Sequence, residues 1–147
     1  DQQYVFIANH ESAFDIFLVF AALPYSLVFL AKKELKKIPF LGWAMILGRN
    51  IFVERKNHNA ALASMELAKK SLQKYPRSIM IFPEGTRSLD GNMKPFKKGG
   101  AILSIQTGLP LVPMAICDTF DVVKKGSFSI IPKPIHLEIG HPIDTSK

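Results

Sequence analysis

The sequence predicts an α/β fold, a layered sheet flanked by helices, and three observations support that fold class. Short apolar runs of strand type alternate with segments of helical periodicity, which is the pattern of strands joined by crossover helices. The chain has 147 residues and 48% of them are hydrophobic, which is enough for one domain with a substantial core. No internal repeat or low-complexity linker interrupts it, so we expect a single domain over residues 1–147.

The chain opens with a strand, a helix and a second strand. Residues 4–8 are a compact apolar run that is typical of a buried strand. Ser12 follows this run and is suited to cap a helix that ends near Leu23. Residues 27–30 form the next apolar run and predict a second strand, which leads into a basic stretch.

The middle of the chain repeats this alternation. Residues 50–53 predict a third strand. Residues 59–74 carry apolar side chains near helical spacing with lysines on the far side, which predicts an amphipathic helix. Residues 78–82 predict a fourth strand, and the turn residues 83–85 follow it directly.

The last part of the chain predicts a helix over residues 98–107 and a fifth strand over residues 111–116. Residues 128–139 alternate well enough to predict two more strands. Pro132 and Pro134 lie within them and suit the edge of a sheet, because proline has no N–H to donate to a central ladder.

The chain is both basic and apolar. It has 19 Lys and Arg residues against 12 Asp and Glu, a net charge of +7 that favours phosphorylated metabolites, acidic membrane surfaces or nucleic acid as partners. The mean hydropathy of +0.14 is high for so basic a domain and suggests contact with a lipid surface. Because the lysines are dispersed and no nucleic-acid-binding motif occurs, we expect no nucleic acid partner.

Three other features narrow the protein class. The single cysteine, Cys117, cannot form an internal disulfide, which favours a reducing compartment, and we expect it to be a small core residue. His58, His136 and His141 have no metal-ligand spacing, so we expect no metal site. The longest apolar run, 16–31, is divided by a proline and is shorter than a membrane-spanning helix requires.

Polar residues follow the first strand, and two of them are candidates for acid–base chemistry. On one continuous helix His10 and Asp15 would lie about 140° apart and could not pair. With the helix beginning at Ser12, His10 lies outside it and Asp15 lies in or near its first turn, where the two can meet. An imidazole oriented by a carboxylate can accept a proton from a hydroxyl. The alternative is an ordinary turn in which Asp15 favours the helix dipole.

A second polar segment follows the fourth strand. Gly85 in a tight turn exposes backbone N–H groups, Thr86 and Ser88 add hydroxyls, and the planar guanidinium of Arg87 is suited to bind phosphate. Three lysines precede the next helix, whose start favours an anion: Lys94, Lys97 and Lys98. The alternative is a solvated surface loop.

Taken together, these motifs resemble those of the glycerolipid acyltransferase family, which contains the bacterial 1-acylglycerol-3-phosphate acyltransferases. The family's Asn-His-x4-Asp block matches residues 9–15, and its Phe-Pro-Glu-Gly-Thr-Arg-Ser block matches residues 82–88 at every position. A strand that closes in an acidic residue and Arg resembles residues 51–55, and a Val-Pro strand resembles residues 112–116. Order and spacing agree over residues 4–140.

The resemblance implies an O-acyltransferase that moves a fatty acyl group from acyl-CoA or acyl carrier protein to the hydroxyl of a lysophospholipid, giving phosphatidic acid without a cofactor. It implies that His10 is the general base and that Asp15 orients it. It assigns six residues to substrate binding, mainly around the phosphate: Lys32, Arg55, Glu84, Gly85, Thr86 and Arg87. Because a carboxylate repels phosphate, we expect Glu84 to pair with a basic residue and hold the loop.

The resemblance also bears on location. Related enzymes carry hydrophobic or amphipathic helices ahead of this domain, and the chain starts at Asp1 without a signal pattern, so we expect a membrane-associating segment to be missing. We expect peripheral or monotopic attachment to an anionic membrane on its cytoplasmic face. The apolar segment 40–47, which contains Trp43, suits the core, an acyl-chain wall or membrane contact. Alternatives are another lysolipid or glycerol 3-phosphate as acceptor, or a non-catalytic domain that binds anionic lipid.

Overall fold

Strands and helices alternate along the chain in the computed structural model, which describes residues 2–54, 57–124, 126 and 129–146. The strands are β1 (Val5–Ala8), β2 (Leu27–Lys32), β3 (Ile51–Val53), β4 (Ser78–Ile81), β5 (Leu111–Cys117) and β6 (His136–Ile139). The helices are α1 (Phe14–Ala22), α2 (Leu41–Leu47), α3 (His58–Lys74) and α4 (Gly99–Thr107). A short 3₁₀-helix, Lys33–Lys37, follows β2. The predicted α/β fold class is confirmed.

The strands form one sheet in the order β3-β2-β4-β1-β5-β6. The first five in this order are parallel to one another, and β6 pairs antiparallel with β5 at the edge. β1 lies between β4 and β5, so that Val5 is opposite Ile79 on one side and Leu111 on the other. Because parallel strands end at the same edge of a sheet, the loops that follow β1, β4 and β2 begin at neighbouring points.

Each face of the sheet has its own apolar core. Phe6 of β1 and Val19 of α1 belong to the cluster on one face. Val5, Ala68 of α3 and Leu103 of α4 belong to the cluster on the other. β4 is buried along its whole length, because its successive side chains point to opposite faces and both are covered there.

The carboxyl-terminal part of the chain differs from the two strands predicted over residues 128–139. The described part of that stretch contains one strand, β6, and residues 129–135 are not in a strand. Two prolines remove backbone donors from this stretch, and the N–H of Ile131 donates to the carbonyl of Val122 at 2.9 Å, away from the sheet. The first residue of the predicted stretch lies outside the described residues.

Cys117 also lies elsewhere than predicted. It is exposed at the end of β5, and it is not part of the core. The reason is the alternation along the strand: Ala115 and Cys117 point to a face of β5 that is not covered there, whereas Ile116 between them is buried. Among the residues that the structure describes, none of the helices has the length and apolar character needed to cross a membrane.

The two-sided core leads to a test on α4. Leu103 is fully buried and Ile105, two residues along the same helix, is 61% exposed. We expect Leu103→Ala to lower the free energy of unfolding by about 2–5 kcal/mol, because it leaves a cavity against the sheet. Ile105→Ala is the matched control and should change it by less than about 0.5 kcal/mol. Urea denaturation followed by circular dichroism measures both, and equal effects would contradict the assignment of Leu103 to the core.

Candidate active site

His10 and Asp15 meet in the turn between β1 and α1. The Nδ1 atom of His10 lies 2.7 Å from Oδ2 of Asp15. The Asp15 side chain is fully buried, whereas that of His10 is 15% exposed. The pairing that the spacing predicted is therefore present, with His10 outside the helix and Asp15 in its first turn.

The Asp15 carboxylate also accepts three further hydrogen bonds. The N–H groups of Glu11 and Ser12 donate to Oδ2 at 2.8 and 3.0 Å. The hydroxyl of Thr119, which follows β5, donates to Oδ1 at 2.5 Å. All these contacts fit an ionised carboxylate, which has acceptor sites only.

The start of α1 corrects the prediction that Ser12 caps it. Ala13 precedes the first helical residue and makes no side-chain cap hydrogen bond. The Ser12 hydroxyl donates to the carbonyl of Val123 at 2.7 Å and accepts only a long bond, 3.3 Å, from the N–H of Phe14. The side chain that stabilises this turn is that of Asp15, because its carboxylate takes up two backbone N–H groups just before the helix.

His10 keeps one ring nitrogen available. When Nδ1 donates to Asp15, the proton is on Nδ1 and Nε2 carries a lone pair. Nε2 makes no hydrogen bond within the described ranges. The imidazole ring stacks on Phe82, with 3.9 Å between the ring centroids and 12° between the ring planes. The ring is thus held by Asp15 at one edge and by Phe82 across its face, while a basic nitrogen stays open to a ligand.

Glu84 joins the loop after β4 to the turn after β1. Its Oε1 atom accepts the backbone N–H of His10 at 2.7 Å, and its Oε2 atom accepts that of Lys94 at 2.8 Å. The N–H of Ser88 donates to the carbonyl of His10 at 2.9 Å. Glu84 is buried. Among the described residues, the groups that donate hydrogen bonds to its carboxylate are backbone N–H groups. The expected pairing with a basic side chain is therefore wrong. The expectation that it holds the loop agrees with these contacts.

The rest of the 82–88 loop presents polar groups beside the hydrogen bonds that connect Glu84 and Ser88 to His10. Gly85 has φ = 76°, a left-handed conformation that favours glycine, and its N–H donates to the carbonyl of Phe82 at 3.0 Å. Thr86 and Arg87 are half-buried. The Arg87 guanidinium makes no hydrogen bond or ion pair with any described residue. Within the described residues, it is therefore a cation that can take up an anion without first breaking a contact.

Lys32 and Arg55 are the two remaining residues that the sequence assigns to the site. Lys32 is the last residue of β2, at the same edge of the sheet as the 82–88 loop, and its Nζ lies 3.4 Å from Oε1 of Glu34. Arg55 lies outside the described residues. The structure therefore brings His10, Asp15 and the 82–88 loop together and puts Lys32 on the neighbouring strand.

Two further polar residues support the pair: Asn9, which belongs to the sequence block but is given no role there, and Thr119, which sequence reasoning missed. The side-chain amide of Asn9 donates to the carbonyl of Ile116 at 2.7 Å and accepts its N–H at 2.8 Å, which ties the turn to β5. Thr119 binds Asp15 from the loop after β5. The rule that ligand sites follow strand ends could have found Thr119, because it comes two residues after β5.

Two nearby groups carry shifted pKa values. Burial raises the pKa of the Glu11 carboxyl above its ordinary value, and the neighbouring Asp15 carboxylate adds to the rise. The pKa of the Cys117 thiol is also raised, by partial desolvation at the end of β5 and by the carboxylates of Glu11, Asp118 and Glu138. The thiol therefore stays protonated at neutral pH, which makes it a poor nucleophile. Within the described residues, no group of three or more His, Cys, Asp or Glu side chains could hold a metal ion.

Comparison with known proteins gives a consistent set of relatives. A family model described as Acyltransferase matches residues 1–117. The 1-acyl-sn-glycerol-3-phosphate acyltransferase of Limnanthes douglasii is 40% identical over 141 residues, 96% of this chain and 50% of that protein. The protein of the same name from Saccharomyces cerevisiae is 38% identical over 130 residues, 86% of this chain and 43% of that protein.

A solved structure agrees with these relatives. The crystal structure of the 1-acyl-sn-glycerophosphate (LPA) acyltransferase PlsC from Thermotoga maritima matches with a TM-score of 0.82 and 32% sequence identity, over 99% of this chain and 57% of that one. The chain spans about half the length of the relatives it matches. The family resemblance drawn from the four sequence blocks is confirmed.

The hydroxyl of Thr119 provides a direct test of the site's architecture. Thr119→Val keeps the shape of the side chain and leaves one oxygen of the buried Asp15 carboxylate without its donor. We expect the free energy of unfolding to fall by about 1–3 kcal/mol. Thr119→Ser retains the hydroxyl and should remain close to the original protein in urea denaturation. Equal stability of the two variants would show that the hydrogen bond contributes nothing.

Proposed function

Because the chain belongs to the acyltransferase family, we propose that it transfers a fatty acyl group from a thioester donor to the free hydroxyl of 1-acylglycerol 3-phosphate, giving phosphatidic acid. The observation that carries this proposal is the His10–Asp15 pair, joined through Glu84 to a loop that holds Arg87, a cation that pairs with none of the described residues. A base and a phosphate-binding group side by side fit an acceptor that has both a hydroxyl and a phosphate. The names of the relatives from Limnanthes douglasii and Saccharomyces cerevisiae support this choice of acceptor.

The proposed reaction needs no nucleophile from the protein. Nε2 of His10 accepts the proton of the acceptor hydroxyl while the oxygen attacks the thioester carbonyl carbon. The buried Asp15 carboxylate stabilises the imidazolium that forms. Collapse of the tetrahedral intermediate breaks the C–S bond, and the departing thiolate takes the proton from His10, so that the ester and a free thiol leave. The protonated Cys117 thiol has no part in these steps.

The phosphate of the acceptor is proposed to bind at the 82–88 loop. Arg87 offers a planar pair of donors, and Gly85 and Thr86 shape the turn next to it. Lys32 and Arg55 are further candidates for holding phosphate, Lys32 because it ends the neighbouring strand. Glu84 acts by positioning this loop and His10, since both its oxygens already accept backbone N–H groups.

An apolar row of rings supports the binding of an acyl chain. Phe82 stacks on His10, Phe29 stacks on Phe82 with 6.2 Å between centroids, and Phe20 meets Phe29 edge-on at 5.1 Å. Phe20 is 55% exposed, so the row leads from the proposed base to the surface. An acyl chain bound along this row would move out of water and bury its apolar surface against the rings, which favours binding.

We propose acyl-CoA or acyl carrier protein as the donor, no cofactor, and an anionic membrane as the place of reaction, on its cytoplasmic side. The lipid nature of acceptor and product supports the membrane, and the single cysteine supports a reducing compartment. One acyl-CoA tested against lysophosphatidate, glycerol 3-phosphate and another lysolipid identifies the acceptor. Lipid binding without turnover on any acceptor would indicate a binding domain.

The role of His10 is tested by His10→Ala. We expect acyl transfer from acyl-CoA to lysophosphatidate to fall by about 10²–10⁴-fold, since the variant lacks a general base. The control is His141→Ala, which removes an exposed histidine far along the chain and should retain full turnover. Thiol release measured with a chromogenic reagent follows both variants, and undiminished turnover by His10→Ala would overturn the mechanism.

The role of Arg87 is tested by its effect on the acceptor. We expect Arg87→Ala to raise the apparent KM for lysophosphatidate by about tenfold or more, because a charge-assisted bidentate contact with phosphate is lost. The KM for acyl-CoA should change little, and Arg87→Lys should recover part of the loss. Lys70→Ala on α3 is the control for removing a positive charge. An unchanged acceptor KM in Arg87→Ala would exclude Arg87 from the phosphate site.

A further inference from the structure

The connection between β2 and β3 forms a protrusion, residues 33–49, made of the 3₁₀-helix Lys33–Lys37 and α2. α2 packs mainly against the 3₁₀-helix and makes few contacts with the rest of the described chain. Gly42 allows this close approach, because a Cβ there would collide with the carbonyl oxygen of Lys36. The protrusion is thus a small folded unit that leaves most of its side chains uncovered.

The uncovered residues of the protrusion include many large apolar side chains. Six of them are exposed within ten residues: Ile38, Phe40, Leu41, Trp43, Ile46 and Leu47. Leu47 is 83% exposed, Phe40 78% and Trp43 60%. This rules out the core as the place of the apolar segment 40–47, which the sequence alone left open. A contiguous exposed apolar segment of this kind indicates a surface that binds a partner.

The protrusion is also basic. It carries four basic residues against one acidic residue, Glu34, and the basic ones are all exposed: Lys33, Lys36, Lys37 and Arg49. Exposed aromatic and aliphatic side chains bordered by lysines are the composition of segments that lie in the interface of an anionic bilayer. Tryptophan in particular prefers the headgroup level.

We propose that the protrusion docks the protein onto an anionic lipid bilayer by inserting its apolar side chains into the interface. The charge favours this occupant over a second copy of the chain, since two protrusions face to face would bring like charges together. α2 has seven residues, about 10 Å of helix, whereas the hydrocarbon core of a bilayer is about 30 Å thick. The protrusion therefore lies within one leaflet's interface.

The position of the protrusion links docking to the candidate active site. It begins directly after Lys32, at the sheet edge that carries His10 and the 82–88 loop. At its other end the Asn50 side chain accepts the N–H of Phe29 at 2.8 Å and donates to the carbonyl of Met45 at 3.1 Å. Docking would thus present this edge to the lipid. Only that consequence rests on the proposed function; binding to lipid does not require catalysis.

Trp43 is the single tryptophan of the chain and reports on this docking directly. Vesicles of phosphatidylcholine with phosphatidylglycerol should shift its fluorescence to shorter wavelength, and brominated lipid should quench it. Pure phosphatidylcholine vesicles should have much smaller effects, and added salt should weaken binding to the anionic vesicles. An unshifted emission in the presence of anionic vesicles, or a shift that is equal on neutral vesicles, would overturn the proposal.

Charge reversal separates the protrusion from the rest of the basic surface. The double variant Lys33→Glu, Lys37→Glu should weaken partitioning onto anionic vesicles, measured by co-sedimentation, by about tenfold or more. Lys70→Glu, Lys74→Glu on α3 makes the same change in net charge and should have a much smaller effect. Leu47→Ser should also weaken binding, whereas Leu67→Ser, at an exposed position of α3, should not. Equal losses in the protrusion and α3 variants would indicate non-specific attraction and overturn the proposal.

A soluble assay keeps the two proposals distinguishable. With short-chain lysophosphatidate and acyl-CoA below their micellar concentrations, the Lys33/Lys37 double variant should turn over at the original rate, while on vesicles it should slow down. Vesicle binding without turnover on any substrate would overturn the proposed function and leave the docking intact. Turnover without vesicle binding, or self-association through the protrusion seen in sedimentation velocity, would overturn the docking alone.

Discussion

The buried carboxylate of Asp15 is the contact on which the candidate site depends. It accepts hydrogen bonds from an imidazole, two backbone N–H groups and a hydroxyl, which come from the turn after β1 and the loop after β5. A charge without these donors would be too costly to bury, since each hydrogen bond to a charged group is worth about 1.5–3 kcal/mol. The same side chain therefore shapes the entry into α1, orients His10 and connects two loops.

Glu84 extends the same principle to the loop after β4. One oxygen accepts the N–H of Lys94, ten positions further along the same loop, and the other accepts the N–H of His10 in the turn after β1. Backbone dipoles therefore balance its negative charge. This leaves Arg87 free of a carboxylate partner within the described chain. A loop built with an acid–base salt bridge would have neutralised the cation that the proposed substrate needs.

The sequence predicts the strands and helices well where apolar periodicity decides them, as in β4 and α3, and it predicts that His10 can meet Asp15. Sequence-based prediction fails where contacts with residues distant in the chain determine the local structure. Ser12 is a good capping residue, but the buried Asp15 takes over the turn because Thr119 and His10 also reach it. The backbone partners of Glu84 and the exposure of Cys117 likewise depend on which strands are neighbours, and Trp43 is exposed because α2 makes few contacts outside the protrusion. No local pattern contains this information.

Several contacts around the His10–Asp15 pair join residues far apart in the chain. Asn9 binds Ile116 across 107 positions, Thr119 reaches Asp15 across 104, and His10 meets Glu84 across 74. The full set of contacts around the His10–Asp15 pair therefore forms only once the segment through residue 119 has joined the sheet. Contacts of such separation also form slowly. A chain in which β5 has not joined the sheet thus has His10 and Asp15 close in sequence but lacks the Thr119 and Asn9–Ile116 hydrogen bonds that surround the pair.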